Sequence, residues 1–370
     1  MTAPVSAQNS TRLAALRARM AATGTDLVAL GPGPNMHWVA GFHPHADERP
    51  CLLMVSHDTA GFLMPVLNAA GSREQTDLPF WTWADAEGPD AALQQALAVT
   101  GATTARRVAV DEAMRADFAL LLLDALPQAG HAFASETLGA LRLCKDETEQ
   151  AELRAEAAIA DAAMQAIYAA IRPGMAEADL AAIARGVFKD HSAQPMFTIV
   201  GAGRNGAFPH HHTGDTILKD GDAIVIDIGA KAGAFSSDIT RMAVVGKPPA
   251  DYDRVHAVVE AAVAAALATC KPGVRACDVD RAARQVIEDA GYGPQFVHRL
   301  GHGMGLEGHE PPWISESSQT VLETGMVFSI EPGIYIEGRF GLRLEDIVIL
   351  QDDGPEVLSR LPRDAHRVLA

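Results

Sequence analysis

Residues 223–245 read AIVIDIGAKAGAFSSDITRMAVV. The two apolar runs, Ala223–Ile228 and Ile239–Val245, have the composition of β-strands. Asp227 nevertheless stands inside the first, and Asp238 heads the second. A lone carboxylate buried in an apolar strand costs on the order of several kcal/mol unless it is paired or bound to a metal. Three more residues fit the same description. His302 lies between Gly301 and Gly303, Glu331 follows Ser329-Ile330, and Glu345 follows Leu342-Arg343-Leu344. Any one of these carboxylates, taken alone, reads as a salt-bridge partner. Four of them with one imidazole outnumber the nearby cations, chiefly Arg241 and Arg343, so divalent metal is the simpler account. The set suits two ions sharing bridging carboxylates, roughly 3.5–4 Å apart. Its oxygen-rich character favours manganese, cobalt or zinc over a thiolate-seeking ion.

Outward from this stretch, the chain divides into two compositional regions. In the first, Asn9–Ala22 has helical spacing and Asp26–Leu30 reads as a strand ending at Gly-Pro-Gly-Pro, residues 31–34. Cys51–Val55 and Gly61–Met64 read as paired strands. Ala91–Val99 and Arg115–Ala125 read as helices, with the strand Arg107–Val110 between them. This is an α/β unit. From Lys145 to Ile171 the sequence becomes Ala/Glu-rich and amphipathic, stopping at Arg172-Pro173-Gly174. A helix over Glu177–Lys189 follows, then strands including Met196–Val200, Met326–Ile330, Ile334–Ile336 and Leu344–Leu350. The helices Tyr252–Thr269 and Val279–Ala290 separate the strand groups. Paired helices and paired strands, twice over, predict an α+β domain with internal pseudo-symmetry. The expected limits are 1–135 for the first domain, 136–143 for a linker and 144–370 for the second.

Composition narrows the function classes. The 370 residues carry 30 Lys+Arg against 47 Asp+Glu, a formal charge of −17, which opposes binding to nucleic acid or to an anionic membrane surface. Cys51, Cys144, Cys270 and Cys277 form no CxxC pair and read as small buried hydrophobes in a reducing compartment. Met1–Met20 shows no apolar leader segment, so the expectation is a cytoplasmic protein. His309-Glu310 begins like a helical HExxH zinc motif, but Pro311 and Pro312 follow it. Gly201-Ala202-Gly203 lacks the further residues a nucleotide loop requires.

Asp227, Asp238, His302, Glu331 and Glu345, in that order and context, resemble the ligand set of the pita-bread metallopeptidases. That family includes prolidase (the Xaa-Pro dipeptidase), aminopeptidase P, methionine aminopeptidase and the metal-free creatinase. The long stretches Gly301–Glu310 (GHGMGLEGHE) and Ile330–Tyr335 (IEPGIY) carry the resemblance, which covers roughly residues 143–361. The preceding segment resembles a smaller creatinase-type N-terminal α/β domain. The resemblance implies that Asp227 chelates one metal, Asp238 and Glu345 bridge, and His302 and Glu331 complete the second site. A hydroxide between the ions would then attack the scissile carbonyl, with Glu331 as proton shuttle. His210, His298, His309 and Arg343 fall on positions that hold substrate or the tetrahedral intermediate, with His210 and His309 the closer to the chemistry. His211 and His212 read as a solvated loop.

The resemblance also implies a small peptide substrate with proline at its second position, two divalent ions per chain (manganese, with cobalt or zinc as alternatives) and a homodimer. Two departures bear on the substrate. Phe235 stands where the family often has tyrosine, and Glu310–Thr324 contains no Arg or Lys to hold a product carboxylate. Arg339, or the loop His43–Arg49 of a neighbouring subunit, would have to supply that charge. The expected function is therefore Xaa-Pro dipeptidase, with an aminopeptidase P-like enzyme as the alternative. A non-catalytic binding protein of the same fold would be expected to have lost ligands, and none is lost.

Overall fold

A computed structural model describes residues 5–369. It falls into two compact units, divided between Arg142 and Leu143. The segment expected as a linker contains a short helix, Leu138–Arg142.

In the first unit, strands β1 (Leu27–Leu30), β2 (Leu52–Ser56), β3 (Ala60–Pro65), β4 (Phe80–Trp83), β5 (Arg107–Val110) and β6 (Gly130–Phe133) form one mixed sheet in the order β4-β3-β2-β1-β5-β6. The hairpin β2–β3 closes through a tight turn in which Ser56 N donates to Thr59 O at 2.8 Å. Helices Asp90–Val99 and Ala116–Ala125 bury Leu93, Leu97, Phe118 and Leu122 against the sheet residues Leu27, Leu52 and Val108. Some elements differ from expectation for local reasons. The Gly-Pro-Gly-Pro turn runs directly into a helix, Pro34–Ala40, with Pro34 in its first turn, where a fixed φ and a missing N–H cost nothing. β4 and β6 are four residues each, too short to show a period.

The second unit is built twice. Helices Glu147–Ala170 and Glu177–Asp190 precede β7 (Gln194–Ala202), β8 (Ala223–Lys231) and β9 (Ile239–Val245); helices Tyr252–Thr269 and Ala276–Asp289 precede β10 (Gly301–Gly303), β11 (Glu310–Ile314) and β12 (Val327–Ile330). Completing the unit are β13 (Gly333–Ile336), β14 (Phe340–Arg343), β15 (Asp346–Gln351), β16 (Gly354–Val357) and β17 (His366–Val368). The sheets run β17-β9-β8-β7 and β11-β10-β12-β15-β16, with β13–β14 as a separate ribbon. The corner between the helices of each pair repeats in detail. Arg172-Pro173-Gly174-Met175 and Lys271-Pro272-Gly273-Val274 both place glycine at positive φ, 86° and 88°. Gly174 N donates to Leu218 O and Gly273 N to Leu322 O, each at 2.8 Å. No described helix is long and apolar enough to cross a membrane.

Strand alternation aims the acidic residues. Ile224, Ile226 and Ile228 of β8 pack against the first helix pair, whereas Ala223 and Val225 face the core built around the second. Asp227 continues that second face. On β12, Phe328 and Ile330 enter the core, so Ser329 and then Glu331 point the other way. Gly301 and Gly303 are required by close approach: a Cβ on Gly301 would lie 1.9 Å from Ser329 O, and one on Gly303 2.2 Å from Pro311 O. Gly301→Ala should therefore lower stability by roughly 1–3 kcal/mol, read as a lower melting temperature. Gly71→Ala, on a helix with open space around it, should leave the melting temperature unchanged or raise it.

Candidate metal centre

All five residues singled out by the apolar-strand argument converge. Asp227 comes from the middle of β8, Asp238 from the residue before β9, His302 from β10, Glu331 from the end of β12 and Glu345 from the link between β14 and β15. Glu345 lies in an isolated bridge with Thr240, which ties the four-stranded and five-stranded sheets together; it is not inside a continuous strand Leu344–Leu350. Asp227, Asp238 and Glu345 present oxygens within 4.8 Å of one another, as do the donor atoms of His302, Glu331 and Glu345. They line a cavity of about 850 Å³ with Phe197, Ile199, Phe208, Pro209 and Val297 as its apolar wall.

The electrostatics of this cavity call for cations. Burial, and then repulsion from Glu345 and Asp227, pushes the Asp238 carboxyl well above its usual range. Burial followed by repulsion from Glu331 and Asp227 does the same to Glu345, and burial raises Glu331 to about 7. Asp227 Oδ1 and Asp238 Oδ1 are buried with no hydrogen-bond partner. His302 is held neutral, its pKa pushed down to about 3 by burial and then by His309. His302 Nδ1 lies 3.1 Å from Gly303 O, a pure acceptor, so the ring proton sits on Nδ1. The lone pair on Nε2 then faces Glu331 Oε1 at 3.3 Å and Asp238 Oδ2 at 3.9 Å. Lone pairs pointed at one another in a dry site repel unless a proton or a cation lies between them. The donor set fits divalent metal: four carboxylates and one neutral imidazole, with no thiolate in the cavity.

Comparison with known proteins agrees. Residues 151–352 match the model of metallopeptidase family M24, and residues 12–144 match the creatinase/prolidase N-terminal domain. The chain belongs to metallopeptidase family M24. It is 36% identical over 360 residues to the probable dipeptidase PepE of Mycobacterium tuberculosis, covering 95% of both chains. With the Xaa-Pro dipeptidase of Pyrococcus horikoshii it shares 30% identity, over 92% of this chain and 94% of that one. The crystal structure of dipeptidase PepE from Mycobacterium ulcerans superposes with a TM-score of 0.93 at 34% identity, covering 98% and 99% of the two chains.

Around this M24 centre the remaining candidates sort by what they touch. His210 and His309 are exposed and line the cavity. The His309 ring lies 3.8 Å from that of His302, close enough for His309 to share donor distance with His302 and Asp238. His211 is not a solvated loop residue: its Nε2 lies 2.9 Å from Oε2 of the fully buried Glu177. His298 and Arg343 line the same cavity but are already engaged. His298 Nε2 pairs with Tyr335 OH at 2.9 Å. Arg343 Nη1 donates to the same hydroxyl at 2.9 Å, its Nε donates to Thr240 Oγ1 at 3.1 Å, and its Nη2 is paired with Asp227. Arg343 is buried, and at the cavity wall these contacts commit its guanidinium to Asp227, Thr240 and Tyr335. The HExxH-like start is a strand, β11, in which Glu310 is buried against Lys145 Nζ at 2.7 Å.

Sequence reasoning missed Thr240, Ser329 and Tyr335. Each is a polar residue one or two positions from an acid or inside a quoted signature. Nothing but side-chain direction distinguishes such residues from ordinary strand polars. Thr240 Oγ1 donates to Glu345 Oε2 at 2.7 Å while accepting from Arg343, so one hydroxyl orients both Glu345 and the arginine behind Asp227. Ser329 Oγ accepts from His302 N at 2.9 Å and donates to Glu331 Oε1 at 3.0 Å. Loss of such orienting partners typically costs about 10–100-fold in metal affinity. Thr240→Val should accordingly weaken Mn²⁺ binding by about 10-fold or more in calorimetric titration, with the fold retained by circular dichroism.

Proposed function

We propose that this chain is a two-metal exopeptidase that hydrolyses the Xaa-Pro bond, and that within this class it is a dipeptidase. The observation that carries the reading is the meeting of Asp227, Asp238, His302, Glu331 and Glu345 in one cavity. It does so in a chain that matches dipeptidase-named relatives over nearly their whole length. In this reading Asp227, Asp238, His302, Glu331 and Glu345 would together hold two divalent cations. Manganese suits the donors, with cobalt or zinc as substitutes. When bound, the two cations would supply water activation and polarisation of the scissile carbonyl.

The chain's own residues do the rest. Glu331 Oε1 is tied to Ser329, which leaves Oε2 to take a proton from the attacking water and deliver it to the departing proline nitrogen. His210 and His309, on the open side of the cavity, are placed to donate to the carbonyl oxygen as negative charge develops there. Phe197, Ile199, Phe208 and Val297 keep water from the flanks of the peptide. Arg343, Tyr335 and His298 form a hydrogen-bonded row that holds Asp227 in place. A homodimer, which the family resemblance implies, belongs to the same proposal.

The aminopeptidase P-like alternative draws on one observation: Glu310–Thr324 offers no cation for a free carboxylate. Rates on Leu-Pro, Leu-Pro-Gly and Met-Ala decide among these readings, with Leu-Pro expected to be cleaved fastest. Equal rates on the tripeptide would remove the dipeptidase assignment. Metal analysis should find two ions per chain, and chelation should abolish turnover; a metal-free active protein would sink the two-metal reading. Glu331→Gln should lower kcat by about 10²–10⁴-fold with an unchanged circular dichroism spectrum.

A further inference from the structure

Both cations named from the sequence as carboxylate anchors are committed elsewhere. Arg339 Nη2 donates to Ala250 O at 2.7 Å and lies 3.3 Å from Asp251. In the loop His43–Arg49, Arg49 bonds Asp47, Glu48 and Asp85. Two guanidiniums line the cavity of the metal centre, those of Arg343 and Arg299, and Arg343 is spoken for. Among the described residues no carboxylate lies within ion-pair distance of Arg299, and its guanidinium makes no hydrogen bond.

Its surroundings nonetheless hold it in one place. The backbone is pinned on both sides: His298 O accepts from Arg284 Nη2 at 3.0 Å, and Leu300 N donates to Asp280 Oδ1 at 2.9 Å. Asp280 and Arg284 are themselves paired at 2.8 Å, with Asp280 fully buried. Arg299 O pairs with His298 Nδ1 at 2.7 Å. The side chain is stacked, its Cζ 4.4 Å from the centroid of the Trp313 ring, which restrains the plane of the guanidinium fork. The residue is half-buried and lines the cavity beside His298 and His302. A fixed, unpaired guanidinium beside a peptide-sized cavity is a receptor for a carboxylate.

We infer that Arg299 is the specificity-determining residue that binds a carboxylate of the substrate; this rests on the Xaa-Pro peptidase reading above. A dipeptide offers two sources for that group, its C-terminus and an acidic first side chain. Arg299→Gln is to be assayed on Leu-Pro, Leu-prolinamide and Glu-Pro beside the wild type. If the C-terminus is read, kcat/KM for Leu-Pro and Glu-Pro falls about 10–100-fold, chiefly through KM, while the poor rate on Leu-prolinamide stays unchanged. If the side chain is read, only Glu-Pro loses ground, relative to Leu-Pro. Arg299→Lys, which keeps the charge without the fork, should recover part of either loss. Equal losses on all three substrates, or no change in any ratio, would overturn the inference. Calorimetric titration of the Mn²⁺-loaded protein with proline against prolinamide, and glutamate against glutamine, repeats both contrasts without turnover. A wild type that cleaves none of the three peptides would refute the Xaa-Pro reading, and the binding contrasts would still decide Arg299.

Discussion

Four carboxylates gathered in one cavity are the constraint around which the second unit is arranged. Like charges at this spacing cannot all ionise without compensation, and burial raises Asp238, Glu331 and Glu345 above their ordinary range. The protein itself offsets only part of the repulsion. Arg343 neutralises Asp227, and Thr240 and Ser329 supply hydroxyl donors to Glu345 and Glu331. What remains unsatisfied, above all the two bare oxygens of Asp227 and Asp238, is the room left for cations.

The duplicated architecture makes the convergence possible. Each half sets a helix pair behind a sheet, and the corner of each pair is closed by the same Pro-Gly turn and the same backbone bonds, at Gly174 and at Gly273. The first half contributes Asp227 and Asp238, and the second contributes His302, Glu331 and Glu345. The halves meet at the bridge between Thr240 and Glu345, where neighbouring residues from both serve as ligand and orienting group. Arg241, fully buried, reinforces the seam by donating to Glu345 O at 2.6 Å and to Asp346 at 2.7 Å.

Much of this was legible in the chain because burying charge is conspicuous. An aspartate within Val225–Ile228, or a histidine between two glycines, violates the local pattern so strongly that only function or an ion pair explains it. The long helices were legible too: Tyr252–Thr269 and Glu177–Asp190 carry an unmistakable period. Some short strands were not: β10, of three residues, and β4, β6 and β16, of four, escaped recognition, whereas β1 and β5, also of four residues, were legible as apolar runs. The break between β14 and β15 at Glu345 was hidden for a different reason, since the run Leu344–Leu350 is apolar apart from Glu345 and Asp346 themselves.

By itself the sequence determined which five residues are candidate metal ligands, their order along the chain, the two-part organisation and the family resemblance, because each depends on residue identity and on patterns within a few positions. Tertiary structure decided which polar neighbours serve the site. His211 turned from a loop residue into the partner of Glu177, and Arg343, Thr240 and Tyr335 became parts of one network behind Asp227 and Glu345. It also separated the arginines: Arg339 and Arg49 are occupied by nearby acceptors, while Arg299 stands beside the cavity on Trp313. The reason is physical: whether an arginine is available depends on which acceptors the fold brings within about 3 Å of it, and Asp85 for Arg49 and Ala250 for Arg339 are distant in sequence.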